Sequence, residues 1–381
     1  MIEPKDKVVE KTAAQNWIAQ RTTHFDSSGI RRVFELAAKL KDPINLSIGQ
    51  PHFDVPEEIK QSLIQAVNDG KNGYSNTQGI LPLREKLEAK VRQEYQHDDR
   101  QLFVCSGTSG GLMLALMAMV DPGDEVVIFD PYFVMYEPLV RLASGTPVLV
   151  DTDDDFQIDL ERFEAALTDK TKLVLLNSPS NPTGVCLDES SVKMIAEICL
   201  QRGIALISDE IYREFAFDRP FVSAAQFNPD TIVVDGFSKS HAMTGWRLGF
   251  VHGPSAVIET MIKLQQYTFV CAPQPVQWAG LSALDCDISP YVADYQKKRD
   301  RLYDGLKDHY DVTKPDGAFY MFPKLPWGNG QQFVEKAIEN NLLIIPGKIF
   351  SRHDTHFRIS YAATDQMIDR GIEVLQKLAN G

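Results

Sequence analysis

No stretch of the 381 residues approaches the run of about eighteen apolar residues that a membrane-spanning helix needs. Cysteine is scarce. There are five (Cys105, Cys186, Cys199, Cys271 and Cys286), an odd number with no C-x-x-C spacing. Structural disulfides and a zinc site are therefore not expected, and a reducing cytoplasm is. Met1 to Arg21 is polar and has no apolar core of the signal-peptide kind. Positive charge is in deficit, with 39 Lys and Arg against 52 Asp and Glu, a net charge of −13. That balance argues against nucleic acid or an anionic membrane as the main partner. It leaves room for a small anion, because a local pocket can be basic on an acidic protein. Internal repeats and low-complexity tracts are also missing.

What is present is an ordinary globular composition, 44% hydrophobic and 24% charged, in a chain long enough for about two domains. The spacing predicts a partly helical or extended arm to about residue 30, a helix over Arg31 to Leu40, and a short strand from Ile44 that ends in a Gly/Pro loop. Helices are expected near 57–69 and 81–96. From Leu102 the pattern alternates. Strands are expected at Leu102–Cys105, Glu125–Phe129, Thr146–Val150, Lys172–Asn177, Ala205–Asp209, Thr231–Gly236 and Leu248–His252. Helices are expected near 108–120, 132–143, 158–167, 188–202 and 254–266. Apolar strands alternating with helices imply an α/β fold: a mainly parallel seven-stranded sheet sandwiched by helices. After Ser289 come a long charged helix, three short strands and a closing helix near 364–379. The expected organisation is an arm and part of the small domain in 1–45, a large domain in 46–288, and a small α+β domain in 289–381 that shares the N-terminal segment.

Ligands on such sheets bind at the carboxyl ends of the strands, and that is where the unusual motifs fall. Ser106-Gly107-Thr108-Ser109-Gly110-Gly111 stands between a strand and an apolar helix. Free N–H groups and small hydroxyls at a helix start suit an anion such as phosphate; a plain N-cap and tight turn reads the same alone. Tyr132 follows the next strand and could stack on a flat ring or simply pack. Two prolines stiffen the loop Asn177-Ser178-Pro179-Ser180-Asn181-Pro182-Thr183-Gly184, which suits a fixed Asn181 amide. Asp209 ends a strand and would be buried. It needs a cationic partner or several hydrogen bonds, and the only cation near it in sequence is Arg213. Lys239, in Gly236-Phe237-Ser238-Lys239, has Arg247 eight positions on. A lysine partly removed from water beside another cation loses its charge more readily, and its free amine can then attack a carbonyl.

An anion site, a stacking aromatic, an oxygen donor, a buried carboxylate, an amine nucleophile and a second cation together match what pyridoxal 5′-phosphate requires. In these residues the chain resembles the class I, fold-type I pyridoxal-phosphate aminotransferases. The resemblance runs over nearly the whole sequence: Gly49 with Pro51, Tyr74 with Gly79, Gly107-Thr108-Ser109, Asn181-Pro182-Thr183-Gly184, Asp209 with Tyr212, Ser238-Lys239 through Arg247, and Phe357-Arg358-Ile359-Ser360. It implies that Lys239 carries the cofactor and moves the substrate's α-proton, and that Asp209 pairs with the ring nitrogen. It gives Tyr212 and Asn181 the ring's phenolic oxygen, and Thr108, Ser109 and Arg247 the phosphate, with Tyr132 stacked on the ring. It makes Arg358 the clamp on the substrate α-carboxylate, helped by Asn181 and the Gly49 backbone. Tyr74 would reach the phosphate of a partner subunit, so a homodimer with shared sites is implied. The expected reaction is a ping-pong exchange of an amino group between an L-amino acid and a 2-oxo acid.

Two positions depart from the family pattern. Many relatives carry a hydroxyl residue three positions before the lysine, where this chain has Gly236; Ser238 or Ser109 would have to compensate. Some aspartate-using relatives carry a lysine where Ser109 stands, so the amino donor stays open among aspartate, aromatic, alanine-like and methionine-like side chains. The same motifs would also serve a carbon–sulfur lyase acting by β-elimination, or, less in keeping with the charge and the short arm, a ligand-sensing regulator built on this fold.

Overall fold

The computed structural model describes residues 13–23, 25, 40–95 and 97–380. The helix expected over Arg31 to Leu40 lies outside them except for Leu40. Of the arm, two 3-10 turns are seen, Ala13–Trp17 and Gln20–Thr23.

Among the described residues twelve strands follow in order: β1 (Ile44–Asn45), β2 (Gln101–Cys105), β3 (Glu125–Asp130), β4 (Thr146–Asp151), β5 (Thr171–Asn177), β6 (Ala205–Asp209), β7 (Ile232–Gly236), β8 (Gly249–Gly253), β9 (Tyr320–Met321), β10 (Leu342–Leu343), β11 (Ile345–Pro346) and β12 (Phe357–Ser360). Seven of them form one sheet in the order β2-β8-β7-β6-β5-β3-β4. Only β8 runs against the others, pairing antiparallel with both β2 and β7. The strands read as unbroken apolar runs because both faces are covered. In β3, Val126 and Ile128 face one cluster and Val127 and Phe129 the other; β5 alternates in the same way. Helices Gly107–Met119, Tyr136–Leu142 and Ser255–Thr268 cover the first face. Leu160–Ala166 and Glu189–Arg202 cover the second. Helices Glu57–Asn68, Leu81–Tyr95 and Gln274–Ala283 pack beside β2 and β8.

The last of these, Gln274–Ala283, has no counterpart in the sequence reading, and Tyr136–Leu142 begins four residues later than expected. In both cases a proline (Pro275, Pro131) and small or irregularly spaced apolar residues blur the helical period. The strand expected from Ile44 shortens to two residues. It pairs in parallel with β10, and Leu46 N donates to the Leu343 carbonyl, so this N-terminal piece joins the C-terminal unit. That unit has its own core, in which Leu46 packs with Phe319, Phe333, Phe357 and Ile368. Where it meets the sheet, Arg352 N donates to Asp130 Oδ2 (2.9 Å), and the Arg352 guanidinium pairs with Asp151.

The register places the functional ends together. Cys105, Gly249 and Gly236 lie side by side across β2, β8 and β7, and Asn177 lies beside Asp209 across β5 and β6. Close approach at this edge depends on glycine. A Cβ on Gly249 would stand 2.8 Å from the Gly107 carbonyl carbon, and one on Gly236 would stand 2.9 Å from both Gly249 Cα and the Leu248 oxygen. All are backbone atoms that cannot swing away. This is why position 236 has no hydroxyl: the strand pair leaves no room for one. Gly236→Ala is expected to cost about 1–3 kcal/mol and lower the melting temperature by a few degrees; thermal denaturation followed by circular dichroism measures it, and an unchanged melt would contradict the packing described.

Candidate active site

A cavity of about 220 Å³ opens at the carboxyl ends of β5, β6 and β7, lined on one side by the small unit. Lys239 is partly buried in the loop between β7 and β8. Its Nζ donates to the Gly49 carbonyl (2.7 Å). Burial first, then the Arg358 and Arg247 guanidinium groups, push its pKa down to about 8, with Asp209 pulling the other way. A sizeable fraction of neutral amine near pH 8 is what a nucleophile or proton carrier needs.

Asp209 ends β6 and is only 3% exposed. Its Oδ2 accepts from the Tyr136 hydroxyl (2.8 Å) and its Oδ1 from Ile211 N (3.3 Å). Burial raises its pKa to about 6, against the pull of those two bonds and of Lys239. Arg213, the cation nearest in sequence, goes elsewhere: it pairs with Glu94 and, at 3.4 Å, with Glu210. Asp209 therefore presents a hydrogen-bonded carboxylate toward the cavity. Asn177 ties the neighbouring strand ends. Its Nδ2 donates to the Asp209 carbonyl (2.9 Å) and its Oδ1 accepts from Asn181 N (3.0 Å).

At the other end, Gly107 has a left-handed φ of +70° and opens a thirteen-residue helix whose first N–H groups have no intrahelical acceptor. The Arg247 guanidinium lies against it, 2.6 Å from where a Gly107 Cβ would be, and is fixed by a bond to the Thr244 carbonyl (2.9 Å). Thr108, Ser109 and Ser238 line the same cavity. Cation, hydroxyls and helix start together form an anion cradle. Facing it from β12, Arg358 is 2% exposed. It donates through Nη1 to Asn181 Oδ1 (3.0 Å) and through Nη2 to the Ser47 carbonyl (2.8 Å). Its guanidinium lies between the rings of Phe350 and Tyr320, 4.5 and 4.6 Å from their centroids. Its buried Nε has no hydrogen-bond partner among the described residues. Because Asn181 accepts through Oδ1, its Nδ2 is left to donate.

A family model described as aminotransferase class I and II matches residues 41–375. The chain belongs to the class I and II aminotransferase family. It is 39% identical to a probable aspartate aminotransferase of Methanocaldococcus jannaschii, over 95% of this chain and 99% of that one. It is 35% identical to a probable N-acetyl-LL-diaminopimelate aminotransferase of Bacillus subtilis, over 93% and 94%. The crystal structure of an aspartate aminotransferase from Thermotoga maritima superposes with a TM-score of 0.92 at 31% identity, over 96% of this chain and all of that one.

In this aminotransferase, the cavity brings together Gly49, Thr108, Ser109, Asn181, Asp209, Tyr212, Ser238, Lys239, Arg247 and Arg358. Tyr74 stands apart and is 84% exposed. Tyr132 is not in the cavity. Its ring packs in the core on the first face of the sheet, its hydroxyl donates to Glu137 (2.8 Å), and its N–H donates to the Phe350 carbonyl (2.7 Å). Neighbouring residues of an extended turn point to opposite sides, so the next residue, Phe133, lines the cavity instead. The sequence reading also omitted Tyr136 and Tyr320, both buried and both facing the cavity. Each carried one signal: a buried tyrosine hydroxyl needs a partner.

In cofactor-free protein, reaction of Lys239 with a small amine-directed reagent should rise through a midpoint near pH 8. Arg247→Leu and Arg358→Leu, each removing a repelling charge, should move that midpoint up; Asp209→Asn should move it down. Peptide mass spectrometry of the labelled lysine gives the profile, and a midpoint near the ordinary 10.5 would contradict the electrostatics.

Proposed function

We propose that this aminotransferase carries pyridoxal 5′-phosphate on Lys239 and exchanges an amino group between an L-amino acid and a 2-oxo acid by a ping-pong route. The observation that carries the reading is the partly buried amine of Lys239, its pKa pushed down to about 8, with a buried carboxylate and a buried guanidinium in one cavity. The residues fit the group. The phosphate suits Arg247, Thr108, Ser109, Ser238 and the free N–H groups at Gly107–Met119, where a Gly107 side chain would fill the cradle. Asp209 suits a protonated ring nitrogen, the cation its position in sequence called for. Tyr212 and the Nδ2 of Asn181, which has no hydrogen-bond partner among the described residues, suit the phenolic oxygen. Phe133, in place of Tyr132, suits the ring face.

When bound, pyridoxal phosphate supplies a conjugated ring that draws negative charge away from the substrate α-carbon. The chain supplies the rest. Arg358 holds the α-carboxylate as a fork, stiffened by Asn181, Ser47 and the two flanking rings. The Gly49 backbone approaches at the same place. The Lys239 amine, with a pKa of about 8, takes the α-proton and returns it. Asp209 keeps the ring nitrogen protonated by remaining charged once a cation faces it.

We assign the protein to the cytoplasm as a homodimer with shared sites. Five free cysteines and the absence, among the described residues, of any helix long and apolar enough to cross a membrane support the first. The exposed Tyr74 and Tyr267 support the second. The pairing of β1 with β10 supports a small domain shared by 1–45 and 289–381. Relatives of comparable likeness carry different substrate names, so the donor is found by a panel that includes L-aspartate, L-tyrosine, L-alanine and L-methionine. Given an active donor without oxo acid, the loaded enzyme should release one equivalent of the matching 2-oxo acid per site and stop until an acceptor is added. Continuous release of ammonia would overturn the transfer reaction in favour of elimination.

A further inference from the structure

Tyr320 sits at the centre of contacts that no motif pointed to. It lies on β9 with 1% of its surface exposed, paired with Ser360 two residues after Arg358. Its hydroxyl is 2.7 Å from the Tyr212 hydroxyl, with the two rings edge to face, centroids 5.6 Å apart at 82°. Its ring lies under the Arg358 guanidinium at 4.6 Å. Its hydroxyl oxygen would be 2.7 Å from a Cβ on Gly49, whose carbonyl receives Lys239 Nζ. One side chain thus touches the residue suited to the cofactor's phenolic oxygen, the substrate clamp, and the backbone that receives the lysine.

The hydroxyl pair has a fixed count. Two phenols hold two protons, and one bond between them uses one. Among the described residues neither hydroxyl has another hydrogen-bonding partner, and both face the cavity. One O–H therefore remains to donate outward. If Tyr212 donates to a ligand oxygen, Tyr320 must be the donor to Tyr212, and a chain of two such bonds is stronger than either bond alone. The ring acts separately. Arg358 already spends Nη1 and Nη2 on Asn181 and Ser47, so its plane is set by those bonds together with the flanking rings.

We propose that Tyr320 is a positioning residue with two separable actions. Its hydroxyl donates to Tyr212 and so directs the Tyr212 proton at the cofactor's phenolic oxygen, and its ring holds the Arg358 guanidinium in the plane that receives the substrate carboxylate. The proposal rests on the cofactor reading given above.

Two variants separate the actions. The visible absorption of the loaded enzyme titrates with pH, because the phenolic oxygen shares a proton with the nitrogen contributed by Lys239. A donor on that oxygen weakens its hold on the proton and lowers the midpoint. Tyr320→Phe, which keeps the ring, should raise the midpoint by about 0.3 pH unit or more. It should change KM for L-aspartate, or for L-tyrosine if aspartate is inert, by less than about twofold. In a Tyr212→Phe background the same change should leave the midpoint where it was, since the hydroxyl acts only through Tyr212. Tyr320→Leu, which removes the ring, should raise KM roughly five- to thirtyfold. A wild-type enzyme with no titrating absorption would overturn the cofactor assignment and this proposal with it. With a normal wild-type titration, the proposal alone falls if Tyr320→Phe leaves the midpoint unmoved or lowers it, shifts it equally in the Tyr212→Phe background, or raises KM as much as Tyr320→Leu.

Discussion

The arrangement depends on one electrostatic constraint: three cationic side chains, Lys239, Arg247 and Arg358, share a cavity with one buried carboxylate, Asp209. Charges held out of water repel more strongly, so the weakest acid-base link gives way. The lysine amine is the group driven toward neutrality. Everything else keeps these charges at their separations. Thr244 fixes Arg247, Asn181 and Ser47 fix Arg358, Tyr136 fixes Asp209, and the Gly49 carbonyl holds Lys239. The excess of positive charge in the pocket, on a chain whose net charge is −13, suits a ligand with a phosphate at one end and a carboxylate at the other.

The fold makes that constraint tolerable by delivering each group on a rigid element. Strand ends, a helix start and stiff loops lose less freedom than open loops when they hold a charge in place. The glycines at 107, 236 and 249 let a helix terminus and two strands approach closely enough that Arg247 lies against the cradle. The small unit contributes Arg358 from β12, Tyr320 from β9 and Phe350 from the end of the 3-10 turn after β11. Its attachment through β1 and through Arg352 thus bears directly on the substrate side of the cavity.

Much of this was legible in the sequence, for a physical reason. The seven large strands are buried on both faces, so they read as continuous runs of β-branched and aliphatic residues, and all seven were placed to within a residue or so. The chemistry was legible because strand ends on such a sheet carry the ligand site, and the unusual residues cluster there. What was missed is orientation. Tyr132 and Phe133 are neighbours of similar type, and only the turn after Asp130 decides which ring enters the cavity. Tyr136 and Tyr320 sit in segments whose apolar character explains them as packing, and their hydroxyl partners, Asp209 and Tyr212, are 73 and 108 residues away in the chain. Arg213 misled for the converse reason: it is near Asp209 in sequence, yet its side chain points to Glu94 and Glu210. Gly236 looked like a defect of the phosphate site and is a condition of the strand packing.

The central claim is that Lys239 holds the cofactor. Borohydride reduction of the enzyme loaded with pyridoxal phosphate, followed by proteolysis and mass spectrometry, reads that bond directly. The account predicts one phosphopyridoxyl group per chain, on the peptide containing Lys239. Attachment to a different lysine, or a protein that binds the cofactor and yields no reduced adduct, would contradict it.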